Sequence, residues 1–194
     1  MVFHSARHRV TTTVRGFTLI ELMVVSAIFV ILSAVVLANH GRFGNLIVLQ
    51  NLAHEIALSI RQAQVYGISV QRYGADEFDV GYGVYFTSAQ PNTYFLFADA
   101  IGSNGTYDGG ETVRSTQIAG GYVIDDLCVW PNGGASYTCG VTDLHILFVR
   151  PEPDALIRTV AGGPLYDRAR IDVKANSGDE VSIVVERSGQ ISVQ

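Results

Sequence analysis

Arg15-Gly16-Phe17-Thr18-Leu19-Ile20-Glu21-Leu22-Met23-Val24-Val25 opens an apolar run, Phe17 to Ala38 (FTLIELMVVSAIFVILSAVVLA), that is 22 residues long and holds one charge, Glu21. At about 1.5 Å per residue, a helix of this length crosses a hydrocarbon core of roughly 30 Å. Met1 to Gly16 carries Arg7, Arg9 and Arg15 and no acid. Cations flanking a spanning helix stay on the cytoplasmic side, which places the C-terminal part outside. A cleavable secretory signal has a shorter apolar core, about 7–15 residues. A plain signal anchor fits the length and the flanking charge. Neither accounts for Glu21, because a carboxylate near the start of a spanning segment is costly unless it is paired or stays hydrated at the interface.

The combination of a short cationic leader, Gly16, Phe17 after it and Glu21 four residues further on resembles the processing site of type IV prepilins and type II secretion pseudopilins. In that family a membrane aspartyl peptidase, the prepilin peptidase, cuts on the cytoplasmic side of the apolar run and methylates the new amine. The resemblance implies cleavage between Gly16 and Phe17 and N-methylation of Phe17. Gly16 leaves the scissile backbone unobstructed. Glu21 then offers a carboxylate to the amine one turn away or to that of a neighbouring subunit, and a buried ion pair is a good register device. The implied function is a structural subunit, a minor pilin or pseudopilin, that rests in the inner (cytoplasmic) membrane with its N-terminus inside. From there it enters an extracellular or periplasmic filament beside other pilin subunits. The sequence does not choose among adhesion, twitching, DNA uptake and type II secretion. The competing class is a signal-anchored binding domain outside any filament.

No Pro occurs between Phe17 and Tyr66, so the helix has no obligatory break. Asn39-His40-Gly41-Arg42-Phe43-Gly44 interrupts the apolar run, and two glycines there invite a bend or a linker. Beyond it Leu46, Leu49, Ala53, Ile56, Ile60 and Ala63 recur at spacings of three and four, one apolar stripe of a helix. The stretch from Leu52 to Gln64 also resembles the stem helix of the GspH/FimT group of minor pilins.

After Tyr66 the pattern turns to short runs rich in aromatic and β-branched residues. Strands are expected at Val80–Phe86, Thr93–Ala98, Thr112–Ile118, Leu144–Val149, Ala155–Val160, Ala169–Val173, Val181–Glu186 and Gln190–Val193, with Ser188-Gly189 turning the last hairpin. Gly81-Tyr82-Gly83-Val84-Tyr85-Phe86 and Glu186 to Val193 also look like GspH-type segments. The expected class is α+β: a long N-terminal helix, transmembrane then amphipathic, packed on an antiparallel β domain, the pilin fold. The divisions are a leader at 1–16, a membrane or filament-core helix at 17–38, a stem at 39–66 and a β domain at 67–194.

Asp99 to Glu111 (DAIGSNGTYDGGE) places Asn104, Gly105, Asp108 and Glu111 at the fifth, sixth, ninth and twelfth positions of an EF-hand-like loop. Asp99 stands one residue too early for the first. Calcium is the candidate ion, held by Asp99, Asn104, Asp108 and Glu111; the alternative is an Asx-rich hairpin loop. Cys128 and Cys139 enclose a Pro- and Gly-containing loop with Trp130 and Tyr137, and in an exported chain a disulfide is the expected state. Many pilins use such a loop for binding, and Trp130 and Tyr137 are either contacts of that kind or rings packed on the sheet. Two cysteines without paired histidines make a poor zinc site.

The formal charge is −5 with 48% hydrophobic and 16% charged residues; of 13 Lys and Arg three lie before Phe17, leaving ten against 18 acids. A domain near −8 does not attract a phosphate backbone over its whole surface. FimT-like pilins that bind DNA use C-terminal basic residues, and the counterparts here are Arg158, Arg168, Arg170 and Arg187, set among Asp167, Asp172, Asp179, Glu180 and Glu186. An enzyme is not indicated. His4, His8, His40, His54 and His145 sit in no catalytic spacing, and there is no nucleophile elbow, phosphate loop or dinucleotide fingerprint. Asp125-Asp126 would point to opposite faces of a regular strand.

Overall fold

The computed structural model describes residues 16–69, 71–74 and 79–194, without the side chains of 38–45. Met1 to Arg15, the greater part of the expected leader, lie outside the described residues. The chain forms two compact units, the first ending at Gly41 and the second beginning at Arg42. One helix, α1 (Leu19–Ile68), contributes to both. The break invited by Asn39 to Gly44 does not end it.

In the first unit α1 begins at a cap. Thr18 Oγ1 accepts from the Glu21 amide at 3.3 Å, and the Thr18 carbonyl accepts from the Leu22 amide at 3.2 Å. This is the Ser/Thr-x-x-Glu pattern of a helix start, with an acid where the helix dipole favours one. Leu19 to Leu37 is long and apolar enough to cross a membrane, and none of that stretch is buried.

Among the described residues the second unit has ten strands: β1 (Gly81–Thr87), β2 (Thr93–Asp99), β3 (Thr112–Gln117), β4 (Tyr122–Pro131), β5 (Thr138–Cys139), β6 (Asp143–Phe148), β7 (Ala155–Arg158), β8 (Tyr166–Ala175), β9 (Glu180–Glu186) and β10 (Ile191–Val193). All described pairings are antiparallel. Two ladders emerge, β3-β2-β1-β6-β7 and β5-β4-β8-β9-β10, joined by one pair, Ile157 with Tyr166. Their inner faces carry Val84, Phe86, Leu96, Ile146, Phe148, Leu127, Ile171, Ile183 and Val185 into one core with α1. Leu49, Ala53, Ile56, Ile60 and Ala63 of the expected stripe are fully buried there, and Leu46 at its start is 39% exposed. Burying side chains of this size is worth roughly 1.5–3 kcal/mol each for the larger ones, which makes the stripe the main bond between helix and sheet.

Polar ties fix the helix in that cradle. Gln64 Nε2 donates to the carbonyls of Pro153 and Gly189, each at 3.1 Å, and Ser59 Oγ meets Tyr94 OH at 3.0 Å. At the end of α1 a Cβ on Gly67 would fall on the carbonyl oxygen of Phe148, so only glycine lets the last turn lie against β6.

The α+β layout agrees with the expected class. All eight expected strands are present, with β7 shorter and β8 longer than expected. β4 and β5 are additions. β4 escapes a period-two reading because its register shifts between Ile124 and Asp126. The core-facing residues run Ile124, Leu127, Val129, and the extra residue breaks the alternation. The bulge also overturns the opposite-face expectation for Asp125-Asp126, since neither enters the core. Asp125 pairs with Lys174 at 3.0 Å, and Asp126 Oδ1 accepts from the Leu127 and Gly140 amides at 2.8 and 2.9 Å.

Candidate functional site

The N-terminal site is the start of α1. Gly16 and Phe17 precede the helix, and Phe17 is 78% exposed. Glu21 is exposed one turn in, and no basic group pairs with it among the described residues. From Phe17 to Leu37 only Ser33 is half-buried. The whole apolar surface of this segment is therefore open to lipid or to other helices.

The residues named as calcium donors do converge, on the face of the sheet away from α1. Asp99 ends β2 buried, and its oxygens accept from the Asn104 amide at 3.2 Å and the Gly105 amide at 3.0 Å. Asn104 accepts from Thr106 and donates to Asp108 Oδ2 at 2.7 Å. Glu111, fully buried, accepts from the Ile101 amide at 2.5 Å and the Asp108 amide at 2.9 Å. Burial raises the Asp99 pKa, the Gly105 amide bond opposes this, and Glu111, with Asp108 after it, adds to the rise. The loop thus meets each carboxylate oxygen of Asp99 and Glu111 with one of its own N–H donors, which leaves each oxygen a further lone pair.

This loop closes over a stack of rings. Tyr107 stacks on Tyr85 at 4.8 Å and on Phe95 at 5.6 Å, and His145 stacks on Tyr85 at 4.7 Å. The Tyr107 amide donates to His145 Nδ1 at 3.0 Å. An acceptor Nδ1 requires a lone pair, so the ring is neutral with its proton on Nε2. Burial lowers the His145 pKa to about 4 even though Asp143 and Asp108 pull it upward. Tyr85 donates to Asp143 Oδ1 at 2.5 Å, and burial together with that bond pushes its hydroxyl up to about 12. No sequence spacing announces this group, because strand register (Tyr85 opposite His145) and loop closure assemble it.

Cys128 and Cys139 are joined, as cross-strand partners of β4 and β5. Inside their loop Trp130 Nε1 donates to the Gly134 carbonyl at 2.9 Å, and Tyr137 meets the indole edge-on at 5.0 Å. Arg168 lies over Trp130 and Arg170 over Tyr137, at 5.6 and 4.9 Å. Asp126 also comes near both sulfurs, but a disulfide offers no thiolate to a metal. The four candidate DNA-contacting arginines do not form one free basic face. Arg168 pairs with Glu186 at 3.4 Å, Arg170 with buried Asp172 at 2.9 Å and Arg187 with Asp167 at 3.9 Å. Arg158 sits on β7 instead, donating to the Gly163 carbonyl, with its Nε close to where a Gly105 Cβ would stand.

Neither a curated protein nor a solved structure matches the chain. Residues 12–37 match the family model described as the prokaryotic N-terminal methylation motif, which supports a type IV pilin-like precursor with a prepilin-type N-terminus.

Proposed function

We propose that this protein is a minor pilin or pseudopilin: a structural subunit of a type IV pilus or type II secretion-type filament, related to the GspH/FimT group. The observation that carries this reading is the methylation-motif match laid over a helix start whose apolar surface is uncovered. Prepilin peptidase cuts between Gly16 and Phe17, leaving a methylated cationic amine on Phe17. The segment to Ala38 holds the subunit in the inner membrane with the β domain outside, then becomes filament core. The stripe from Leu49 to Ala63 is already occupied by the sheet, so assembly uses the open surface of the N-terminal segment. A signal anchor outside any filament has no use for Gly16-Phe17 and Glu21 together. DNA uptake through Arg168, Arg170 and Arg187 would require each to leave its carboxylate, in a domain already negative.

The Thr18 cap takes only the backbone amide of Glu21, so Glu21→Gln and Glu21→Ala both keep it and both remove the charge that meets a neighbour's amine. In a strain that processes the precursor, both variants should be cut and both should be missing from sheared filaments. Normal incorporation of Glu21→Gln would defeat the register role.

A further inference from the structure

β3 ends its ladder, and no described strand pairs with its outer side. Its register with β2 sets Arg114 opposite Leu96, Ser115 opposite Phe95, Thr116 opposite Tyr94 and Gln117 opposite Thr93. The next residue, Ile118, donates its amide to the Asn92 carbonyl at 2.7 Å. That bond fixes the phase of the ladder. Arg114, Thr116 and Ile118 turn their backbone groups to β2, so the N–H and C=O of Ser115 and Gln117 point outward. Edges are commonly blunted by proline, by charge or by a covering element. Thr112–Gln117 (TVRSTQ) has no proline, and its one charge turns away, Arg114 Nη2 donating to Gln62 of α1 at 2.9 Å.

Beside this edge runs a groove between β3 and α1. It has two bays, of about 270 and 350 Å³, which share Glu55, Tyr94 and Thr116. Ile118 lines the first bay and Arg114 the second. Arg114, Thr116 and Ile118 alternate along the strand and face the same side, toward α1. A strand added to β3 would send every second side chain into this groove.

We propose that β3 and α1 form a strand-accepting site for an extended segment of another protein, bound antiparallel through the backbone of Ser115 and Gln117. The groove dictates the inward-facing residues. Antiparallel to β3 they read apolar against Ile118, basic beside Thr116 to meet Glu55, and acidic against Arg114. Main-chain bonds supply affinity and the charge order supplies selectivity. The inference is independent of whether the chain is processed as a prepilin.

The test uses the full chain in detergent micelles and a capped probe peptide, Thr-Val-Thr-Lys-Thr-Glu-Thr. Amide hydrogen exchange at Ser115 and Gln117 should slow by about tenfold at roughly millimolar peptide. A peptide with Lys and Glu exchanged should protect less. Ser115→Pro removes an outward N–H that the fold does not use, so the melting temperature should hold while protection of Gln117 is lost. Arg114→Glu offers a second route, because it should bind the exchanged peptide better than the original. Unchanged exchange with both peptides, or protection that survives Ser115→Pro, would overturn the proposal. Protection that grows with protein concentration and without peptide would place a second copy at the edge and overturn the choice of partner.

Discussion

Acidification from neutral pH to about pH 4 should loosen the β domain, with His145 carrying the effect. In the folded chain burial holds this imidazole neutral, with a pKa lowered from 6.5 to about 4, and its Nδ1 accepts the Tyr107 amide. The folded pKa lies below the unfolded one. The stabilisation is therefore complete above pH 6.5 and is lost as pH falls toward 4, because the unfolded chain takes up the proton first. At about 1.4 kcal/mol for each tenfold loss of proton affinity, His145 accounts for roughly 2–3 kcal/mol across that window. Asp99 works the other way, since a carboxyl whose pKa is raised by burial gains stability on acidification and masks part of the loss. The comparison that isolates His145 is His145→Asn, whose Oδ1 can still accept from the Tyr107 amide and does not titrate. Urea unfolding followed by Trp130 fluorescence, at a series of pH values, gives the difference between the two proteins. It should narrow by about 2–3 kcal/mol from neutral to acid pH. Parallel pH profiles would refute the idea that a neutral, buried His145 holds the loop.

Two further outcomes follow from the same face and its neighbour. Reducing Cys128–Cys139 should lower stability by roughly 2–3 kcal/mol, read as a shifted urea midpoint against the oxidised chain, because the bond closes a short loop of the unfolded chain. Four loop amides already meet Asp99 and Glu111, so EDTA should leave the melting temperature unchanged; a rise with millimolar calcium would mean that the remaining lone pairs of these carboxylates take the ion.

The stem was legible because its stripe repeats at helical spacing and one wall, the sheet, buries nearly all of it. Most strands were legible for the analogous reason, and Ser188-Gly189 marks its hairpin with the left-handed conformation at Gly189. β4 was not, because a bulge at Asp125 breaks the only pattern a single strand carries. β5 has two residues and no periodicity at all. Within the sites, Thr18 at the head of the apolar run already signals a helix cap, and that cap takes the Glu21 amide and not its carboxylate. The loop at Asp99 to Glu111 declares its Asx-rich chemistry openly, but whether its oxygens face an ion or amides depends on how the chain folds back. The ring stack lies beyond local reading. Tyr107 and His145 are 38 residues apart and meet only once β1, β6 and the loop are in place.

Cutting and methylation at the head of α1 are tested most directly by the intact mass of the protein taken from native membranes or sheared filaments. The expected mass lacks Met1 to Gly16 and carries one added methyl group. The uncut precursor mass, in cells whose prepilin peptidase is active, would contradict a pilin-type subunit and leave a plain membrane anchor.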